Sequence, residues 1–554
     1  MLPGAALCLL AALLVLPGLG RPAITDSDEA YYAEAAREMI ESGDYLTPRF
    51  NYANRFQKPV LYYWMAAASY GVAGVNAAAA RFPSALAGVG LVGLAFVTGR
   101  RWWGREEATL AAAIVATSLG CFMAAHLALP DLPLAFLVTA ATWAGLVALE
   151  SAGSGPGRAR WPLLGCAAAA GLAFLTKGPV GVVVPAVILV PAAIVDHAWR
   201  RLRVADLLLA TAAFLVVALP WYLAMTAVHG RAYLESFFVG DNLERFATAR
   251  FNEPRGPWFY LPVLLGGMLP WSPLFLVGVA PLWRALSRPA VVTTQAWRLA
   301  AWALAPLALF TMSIGKQPRY ILPVMVPVAV ALAVWTCEAL RRDATSSRTP
   351  GAPRVAAALC GALVVAVGLF PLLGHPVFSR GPGAVRVLCG ATAVSSGLLV
   401  IAVGWRRVQL FPPTMALAAA ALLVTLQATV FWQPQPEAVE EVAVALRSRL
   451  QPGEAWTTRE ALSRNLVFYV GSRQDGPFDV QALASFLGAA DRRVYCAMAA
   501  RELDRLRAAH PGLVLHQLGE WRFFNLAGAR ARSILRPDPR RDEKVVVLVS
   551  NRPD

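Results

Sequence analysis

Acidic and basic side chains recur in five short segments of the sequence, each beside a long apolar run. The segments are Asp26-Ser-Asp28-Glu29-Ala-Tyr31-Tyr32-Ala-Glu34, Arg55-Phe-Gln57-Lys58-Pro59, Leu129-Pro-Asp131-Leu-Pro133, Thr176-Lys177-Gly178-Pro179 and Lys316-Gln-Pro-Arg319-Tyr320. Ionisable residues at a membrane boundary are costly unless they have a role or a partner. Carboxylates beside ammonium and guanidinium groups at the depth of a lipid headgroup together predict a binding site for a lipid phosphate.

Each segment taken alone also fits a structural role. Asp28 and Asp131 suit the first turn of a helix, where a carboxylate complements the exposed backbone N–H groups. Lys58 precedes a proline in an aromatic-rich stretch, which is typical of an anchor at the membrane surface. The phosphate site is favoured because all five segments are predicted to lie on one face of the membrane.

The elements that position these segments are predicted to be membrane-spanning helices. The chain has 554 residues, of which 57% are hydrophobic and 15% charged, with a mean hydropathy of +0.52. A soluble chain usually has about 25% charged residues. Stretches without charge that are long enough to cross a bilayer occur at 1–20, 82–99, 108–130, 132–149, 161–176, 178–195, 207–230, 256–283, 299–315, 320–337, 355–379, 387–405 and 408–436. A further apolar stretch, 59–80, is predicted to form interfacial helices.

The arginines predict the orientation of these thirteen spans. They cluster in alternate connections, at Arg100, Arg101 and Arg105; Arg158 and Arg160; Arg200, Arg201 and Arg203; Arg284, Arg288 and Arg298; Arg341, Arg342, Arg348 and Arg354; and Arg406 and Arg407. The positive-inside rule assigns all six clusters to the cytoplasmic side. The five candidate segments then lie on the outer face.

Two domains are predicted from this pattern. Residues 1–436 form an all-α polytopic membrane domain of about 13 transmembrane helices, with an outer loop at 21–81. Residues 437–554 have the composition of a small soluble α/β domain on the extracytoplasmic side. Its strand-like runs are Asn465-Leu-Val-Phe-Tyr-Val470, Arg493-Val-Tyr-Cys496 and Lys544-Val-Val-Val-Leu548.

Composition also excludes several classes of protein. The seven cysteines are scattered, without a CxxC pair or a Cys/His cluster, so no disulfide framework, zinc site or redox motif is expected. The net charge of +16 comes largely from arginines that flank apolar segments. We therefore expect contacts with anionic membrane lipids, and no binding of nucleic acid.

In residue type and order, the candidate segments resemble one group of enzymes. Asp28-Glu-Ala-Tyr-Tyr-Ala-Glu34, Ser42-Gly-Asp-Tyr45, Lys58-Pro-Val-Leu-Tyr62-Tyr-Trp64, Asp131-Leu-Pro133, Leu175-Thr-Lys-Gly-Pro179 and Lys316-Gln-Pro-Arg-Tyr320 look like the motifs of polytopic GT-C glycosyltransferases. The subgroup is the aminoarabinose transferase (ArnT-like) and protein O-mannosyltransferase type. The resemblance covers roughly residues 20–330.

The resemblance implies which residues form the site. Asp28, with Glu29 beside it, matches the catalytic acidic position, and Asp131 matches a second essential acid. Lys58 matches a lysine that binds the donor phosphate. The predicted substrate-binding set is completed by Tyr31, Tyr62, Lys177, Arg245, Lys316, Arg319 and Tyr320.

The chain departs from the family pattern at three positions. Tyr31 and Gln57 stand where the lipid A enzymes have an arginine and a glutamate, and Val60 replaces a proline. The missing glutamate argues against a metal at that position, and we expect no cofactor.

The resemblance also implies a reaction. A sugar carried on a polyprenyl phosphate is transferred on the outer face of the bacterial inner membrane. Cations such as Lys58 stabilise the departing phosphate, and Asp28 takes the proton of a hydroxyl acceptor or orients the sugar for a phosphate acceptor. We expect a glycolipid acceptor such as lipid A. A protein or cell-wall glycan acceptor, a lipid or solute transporter and a membrane scaffold remain alternatives.

Overall fold

The structure is a computed structural model. It describes residues 2–24, 27–155, 157–244, 248, 254–287, 293–345, 351–374, 381–431, 436–476, 478–489, 491–524, 536 and 538–554.

The described part of the chain is mostly helical. The α-helices are α1 Leu2–Val15, α2 Ser27–Ser42, α3 Leu61–Ala73, α4 Ala77–Trp102, α5 Arg105–Ala116, α6 Leu119–Ala125, α7 Asp131–Ser151, α8 Arg160–Lys177, α9 Val180–Val195, α10 Val204–Leu234, α11 Tyr260–Gly267, α12 Phe275–Ser287, α13 Thr294–Met312, α14 Met325–Thr345, α15 Ala352–Leu372, α16 Gly383–Arg406, α17 Phe411–Leu426, α18 Ala438–Arg447, α19 Asn465–Val470, α20 Val480–Leu487, α21 Ala500–Ala509 and α22 Pro539–Asp542. A 3-10 helix, Pro318–Val324, precedes α14, and π-helical turns at Glu235–Glu244 and Gln427–Phe431 extend α10 and α17.

The apolar helices agree with the predicted membrane class. Among the described residues, seven helices are long and apolar enough to cross a bilayer, and two bent pairs raise the number to nine. Helices α1 and α9 are apolar but shorter. Each of the thirteen predicted stretches coincides with a helix or a bent pair. The number of thirteen spans stays a prediction, because several of these helices do not reach that length and hydropathy.

Two predicted spans are broken helices rather than straight ones. Helices α5 and α6 meet at an angle of 52°, and residues 257–267 and 272–281 meet at 115°. The two breaks face each other, since the Leu119 N–H donates to the Leu269 carbonyl over 2.9 Å and Trp271 Nε1 donates to Thr117 Oγ1 over 2.9 Å. The backbone groups freed by each break therefore find partners inside the protein, as an apolar environment requires.

The predicted interfacial segment 59–80 divides into two helices. Its first part is α3, whose Tyr70 hydroxyl donates to the Ala33 carbonyl of α2 over 3.0 Å. Its last residues belong to α4, which begins at Ala77 because the Asn76 side chain accepts from the Ala79 N–H. Helix α4 is thus longer than the predicted span 82–99, which ignored this N-cap.

Ion pairs join the loops that carry the arginine clusters. Arg101 pairs with Glu150, Arg160 with Asp206, Arg298 with Asp196, and Arg341 with both Glu106 and Glu107. These pairs connect loops that are far apart in sequence, so the loops that carry these arginines lie close together. The cytoplasmic location of the clusters stays a prediction.

Residues 438–554 contain a four-stranded sheet. Its strands are β3 Ala455–Arg459, β4 Val494–Ala499, β5 His516–Phe524 and β6 Glu543–Ser550, and they follow β1 Arg49–Phe50 and β2 Ala53–Asn54 of a small hairpin. The order is β3-β4-β6-β5, with only the β3–β4 pair parallel. Two of the three strand-like runs lie in this sheet. The third, 465–470, is helix α19 instead, and it packs on α2.

Candidate functional site

Four of the predicted site residues form a row of alternating charge. Arg319 Nη2 donates to Asp28 Oδ2, and Arg319 Nε lies 3.6 Å from Asp131 Oδ2. Lys177 Nζ donates to Asp131 Oδ1 over 2.5 Å. The row brings together residues that are up to 291 positions apart in the sequence.

Helix ends position this row. Asp28 lies in the first turn of α2 and Asp131 is the first residue of α7. Lys177 is the last residue of α8, and it is followed by Gly178 at a φ of 76°. A carboxylate at a helix N-terminus and an ammonium at a C-terminus both complement the backbone dipoles. The glycine is needed there because the chain turns in the left-handed region.

Tyr320 borders the row, as the sequence predicted. Lys177 Nζ lies 4.9 Å from the centroid of its ring, and Phe310 packs on it at 5.7 Å between ring centroids. The ring therefore contacts the Lys177 ammonium and holds it through a cation–π contact.

Lys58 forms a second charged contact near the site. Its Nζ donates to Asp241 Oδ2, and the side chains are 11% and 2% exposed. A cavity of about 510 Å³ opens beside this pair. Its lining consists of Gln57, Glu235, Ser236, Val239, Gly240, Asp241 and Glu244. Asp241 therefore joins Lys58 to the wall of a space large enough for a sugar.

The surroundings of Glu29 favour a structural role rather than the predicted catalytic one. Arg81 holds both carboxylate oxygens, through Nε at 2.9 Å and Nη2 at 3.0 Å. The Ala128 N–H donates to Oε1 over 2.6 Å, and Glu29 is 1% exposed. This carboxylate is saturated with donors and faces the protein interior.

Tyr62 and Lys316 are also held by internal partners. The Tyr62 hydroxyl donates to the Ala80 carbonyl over 2.9 Å, and its side chain is fully buried. Lys316 Nζ donates to the carbonyls of Ser313 and Arg255 over 2.5 and 3.0 Å. Their geometry supports framework roles rather than the predicted contacts with substrate. Arg245 lies outside the described residues.

Two arginines contact the ring of Tyr31. Arg55 Cζ is 3.9 Å and Arg464 Cζ 4.7 Å from its ring centroid. Phe50 contacts the ring edge-on at 4.6 Å. Tyr31 is therefore part of a positively charged surface, although it is not itself a cation.

Four charged residues of this region were given no role by the sequence, although Arg55 lies in one of the five candidate segments. They are Arg55, Arg81, Asp241 and Arg464. Asp241 is close to Asn242, Glu244 and Arg245 and carries no signal of a buried partner. Arg81 does carry one, because it precedes a run without charge up to Arg100. A lone charge in such a setting predicts a buried partner. Arg55 and Arg464 have ordinary polar neighbours and carry no such signal.

Metal ligation has little support in the geometry. Within the described ranges, no three His, Cys, Asp or Glu side chains are grouped so that they could hold a metal ion.

Comparison with known proteins gives the family. The model of the dolichyl-phosphate-mannose-protein mannosyltransferase family matches residues 7–234. An undecaprenyl phosphate-alpha-4-amino-4-deoxy-L-arabinose arabinosyl transferase of Edwardsiella ictaluri is 32% identical over 428 residues, 75% of each chain. The chain belongs to the ArnT-like family of GT-C glycosyltransferases. A family member of the same name from Pseudomonas paraeruginosa is 34% identical over 362 residues, 64% of this chain. The chain spans 63% of the length of that relative.

The ArnT-like fold extends over nearly the whole chain. The crystal structure of ArnT from Cupriavidus metallidurans bound to undecaprenyl phosphate superposes with a TM-score of 0.71. The superposition covers 98% of this chain and 97% of that one, at 22% sequence identity. At this identity the likeness establishes the fold.

Proposed function

We propose that this protein is an integral-membrane glycosyltransferase that moves a sugar from a polyprenyl-phosphate donor to an acceptor at the outer face of the bacterial inner membrane. The row of alternating charges from Asp28 to Lys177, positioned by helix ends, carries the proposal. Membership of the ArnT-like family supports it. The relatives are named for undecaprenyl phosphate and 4-amino-4-deoxy-L-arabinose, and this is the donor to test first.

Lys58 is proposed to bind the donor phosphate. An ammonium has three N–H donors, so contact with Asp241 leaves it able to donate to a phosphate oxygen as well. The polyprenyl phosphate is a good leaving group that needs no general acid. A fixed cation at its oxygens stabilises the negative charge that develops as the bond to the sugar breaks.

Asp28 is proposed as the catalytic carboxylate. Its side chain is 41% exposed, compared with 8% for Asp131, and Arg319 orients it. For a hydroxyl acceptor, Asp28 removes the proton as the new bond forms. For a phosphate acceptor the nucleophile is already anionic, and Asp28 orients the sugar. Asp131 is a positioning residue, because it acts through Lys177 and Arg319.

A glycolipid such as lipid A is the proposed acceptor. The second candidate is a protein acceptor, which the match to the protein mannosyltransferase family over residues 7–234 favours. In both cases the arginine-rich end of the helices faces the cytoplasm, as the positive-inside rule requires. Thirteen spans and an extracytoplasmic α/β domain at 437–554 are part of the proposal.

Mass spectrometry of a deletion strain tests the function and identifies the acceptor. Lipids and glycoproteins from the deletion strain and its parent are compared side by side. We expect one lipid species to lose the mass of a single sugar in the deletion strain and to regain it on complementation. Loss of sugar from a protein with unchanged lipids establishes the second candidate. Unchanged lipids, glycans and proteins contradict the proposal.

A further inference from the structure

We propose that Arg55 and Arg464 form a binding site for the phosphate of the acceptor lipid. Both guanidinium groups contact the ring of Tyr31, at 3.9 and 4.7 Å from its centroid. Their central carbons therefore lie within roughly 9 Å of each other, a span that one phosphate with its oxygens can bridge through guanidinium N–H donors. The inference rests on the proposed function, because it assigns a substrate to the same site.

The two arginines differ from the other site cations in their partners. Lys58, Lys177, Arg81 and Arg319 each have a carboxylate within 4.0 Å. The Arg55 side chain donates to the Tyr63 hydroxyl over 3.3 Å and lies against the rings of Tyr31 and Tyr32, and the Arg464 guanidinium lies against the Tyr31 ring. Within the described part of the chain, neither guanidinium forms an ion pair with a carboxylate. Arg55 is half-buried, where a cation without a counter-ion is costly, whereas Arg464 is exposed and open to a ligand. A ligand anion supplies the missing charge.

The site lies next to the proposed catalytic carboxylate. Asp28 and Tyr31 are three residues apart on α2, so their side chains lie on the same face of that helix. A phosphate held over Tyr31 is therefore adjacent to Asp28 and to the sugar that Asp28 orients.

Arg464 is held in place by contacts between α19 and the segment before α2. Asn465 Nδ2 donates to the Ile24 carbonyl over 3.0 Å, and the Ile24 N–H donates to the Tyr469 hydroxyl over 2.6 Å. Phe468 is buried in the same apolar cluster as α2 and α3. The C-terminal region thus contributes one residue to the acceptor site, at a position fixed by buried contacts.

Transfer of the sugar to a lipid phosphate needs no general base. An oxygen of the lipid phosphate monoester forms a bond to the anomeric carbon of the sugar. The bond from that carbon to the polyprenyl phosphate breaks, and its electron pair leaves with the polyprenyl phosphate. One phosphate becomes a diester as the other becomes a monoester, so no net proton transfer is needed.

Equilibrium binding to the purified full-length protein tests the site without the donor. The probes are lipid A with its phosphates, the same lipid A after phosphatase treatment, and phosphatidylglycerol. Because hydrogen bonds to charged groups are strong, we expect Arg464→Ala to weaken binding of phosphorylated lipid A at least about tenfold. Arg464→Lys should weaken this binding less than Arg464→Ala does. Phosphatase-treated lipid A should bind weakly and equally to wild type and Arg464→Ala. The matched control is Arg447→Ala, an exposed arginine on α18.

Two results overturn the inference. If both Arg464→Ala and Arg55→Lys bind phosphorylated lipid A as tightly as wild type does, the two arginines do not form a phosphate site. If wild type binds phosphatidylglycerol as tightly as phosphorylated lipid A, and both variants lose this binding, the arginines bind the headgroups of bulk lipids. That result overturns the assignment to the acceptor. Phosphate-dependent binding that Arg464→Ala weakens, in a protein that transfers no sugar, supports the site and contradicts the proposed function.

Discussion

Substitutions of Lys58 test whether sugar transfer needs a positive charge at this position. We expect Lys58→Ala to abolish most sugar transfer, whereas Lys58→Arg retains a measurable part, because the proposed role of Lys58 depends on its positive charge. Initial rates with purified variants of equal abundance measure the effect. Lys544→Ala, an exposed lysine on β6, is the control.

Removal of Lys58 also affects its partner Asp241, and a double variant separates the two effects. Lys58→Ala combined with Asp241→Asn removes the charge of the carboxylate as well. If the ammonium itself binds phosphate, the double variant stays inactive. Normal transfer by Lys58→Ala shows that Lys58 does not bind the donor phosphate.

The raised pKa of Glu38 predicts that the stability of the folded protein depends on pH. Burial and the nearby Glu34 carboxylate raise the pKa of Glu38 from 4.5 to about 7. Between these two pH values the folded state binds more protons than the unfolded state, so stability falls as pH rises and levels off above about 7. Thermal unfolding of wild type should therefore show a lower Tm at pH 8 than at pH 5. Glu38→Gln should remove part of this difference, and Glu41→Gln, on the same helix, should leave it unchanged. An equal pH dependence in wild type and Glu38→Gln contradicts the assignment.

At the scale of elements, the Glu29–Arg81 pair fixes α2 to α4. Arg81→Met leaves the Glu29 carboxylate buried without its counter-ion, and loss of one partner of such a pair costs about 3–5 kcal/mol. We expect a large fall in unfolding free energy, measured by denaturant titration in detergent. The double variant Glu29→Leu with Arg81→Met should be less destabilised than Arg81→Met alone. If Arg81→Met is as stable as wild type, the pair does not hold the two helices together.

The elements show how far sequence reasoning reaches. Apolar runs without charge predict the long helices, because crossing a bilayer demands length and hydropathy together. The bends at Thr117 and Met268 were not predictable, since the bonds that join them, Leu119 N–H to the Leu269 carbonyl and Trp271 Nε1 to Thr117 Oγ1, form only in the packed fold. The 465–470 run has strand-like alternation, but its docking on α2 overrides this local preference.

The residues of the site could be predicted from the sequence, but the contacts between them could not. The sequence predicted Asp28, Asp131, Lys177 and Arg319 as a set, and the structure brings them together. It did not predict which carboxylate meets which cation, because pairing depends on helix packing. Glu29 stands beside Asp28 in the motif, yet it points to Arg81 instead, since neighbours on a helix face different directions.

At the scale of the whole molecule, the orientation in the membrane is testable with single cysteines. In a variant without the seven native cysteines, we place one at the exposed position Arg501 or Arg342. A membrane-impermeant maleimide added to intact spheroplasts should label Arg501→Cys and miss Arg342→Cys until the membrane is opened. The reverse pattern overturns the proposed topology.

Transfer by the purified protein in proteoliposomes tests the central claim most directly. The donor is 4-amino-4-deoxy-L-arabinose on undecaprenyl phosphate, the acceptor is lipid A, and both products are measured by mass spectrometry. We predict that lipid A gains the mass of one sugar while an equal amount of undecaprenyl phosphate is released. We also predict that Asp28→Asn slows both steps about 10²-fold, because the sugar loses the carboxylate that orients it. Wild-type protein that releases no undecaprenyl phosphate with lipid, glycan or protein acceptors, or an Asp28→Asn variant with the wild-type rate, contradicts the claim.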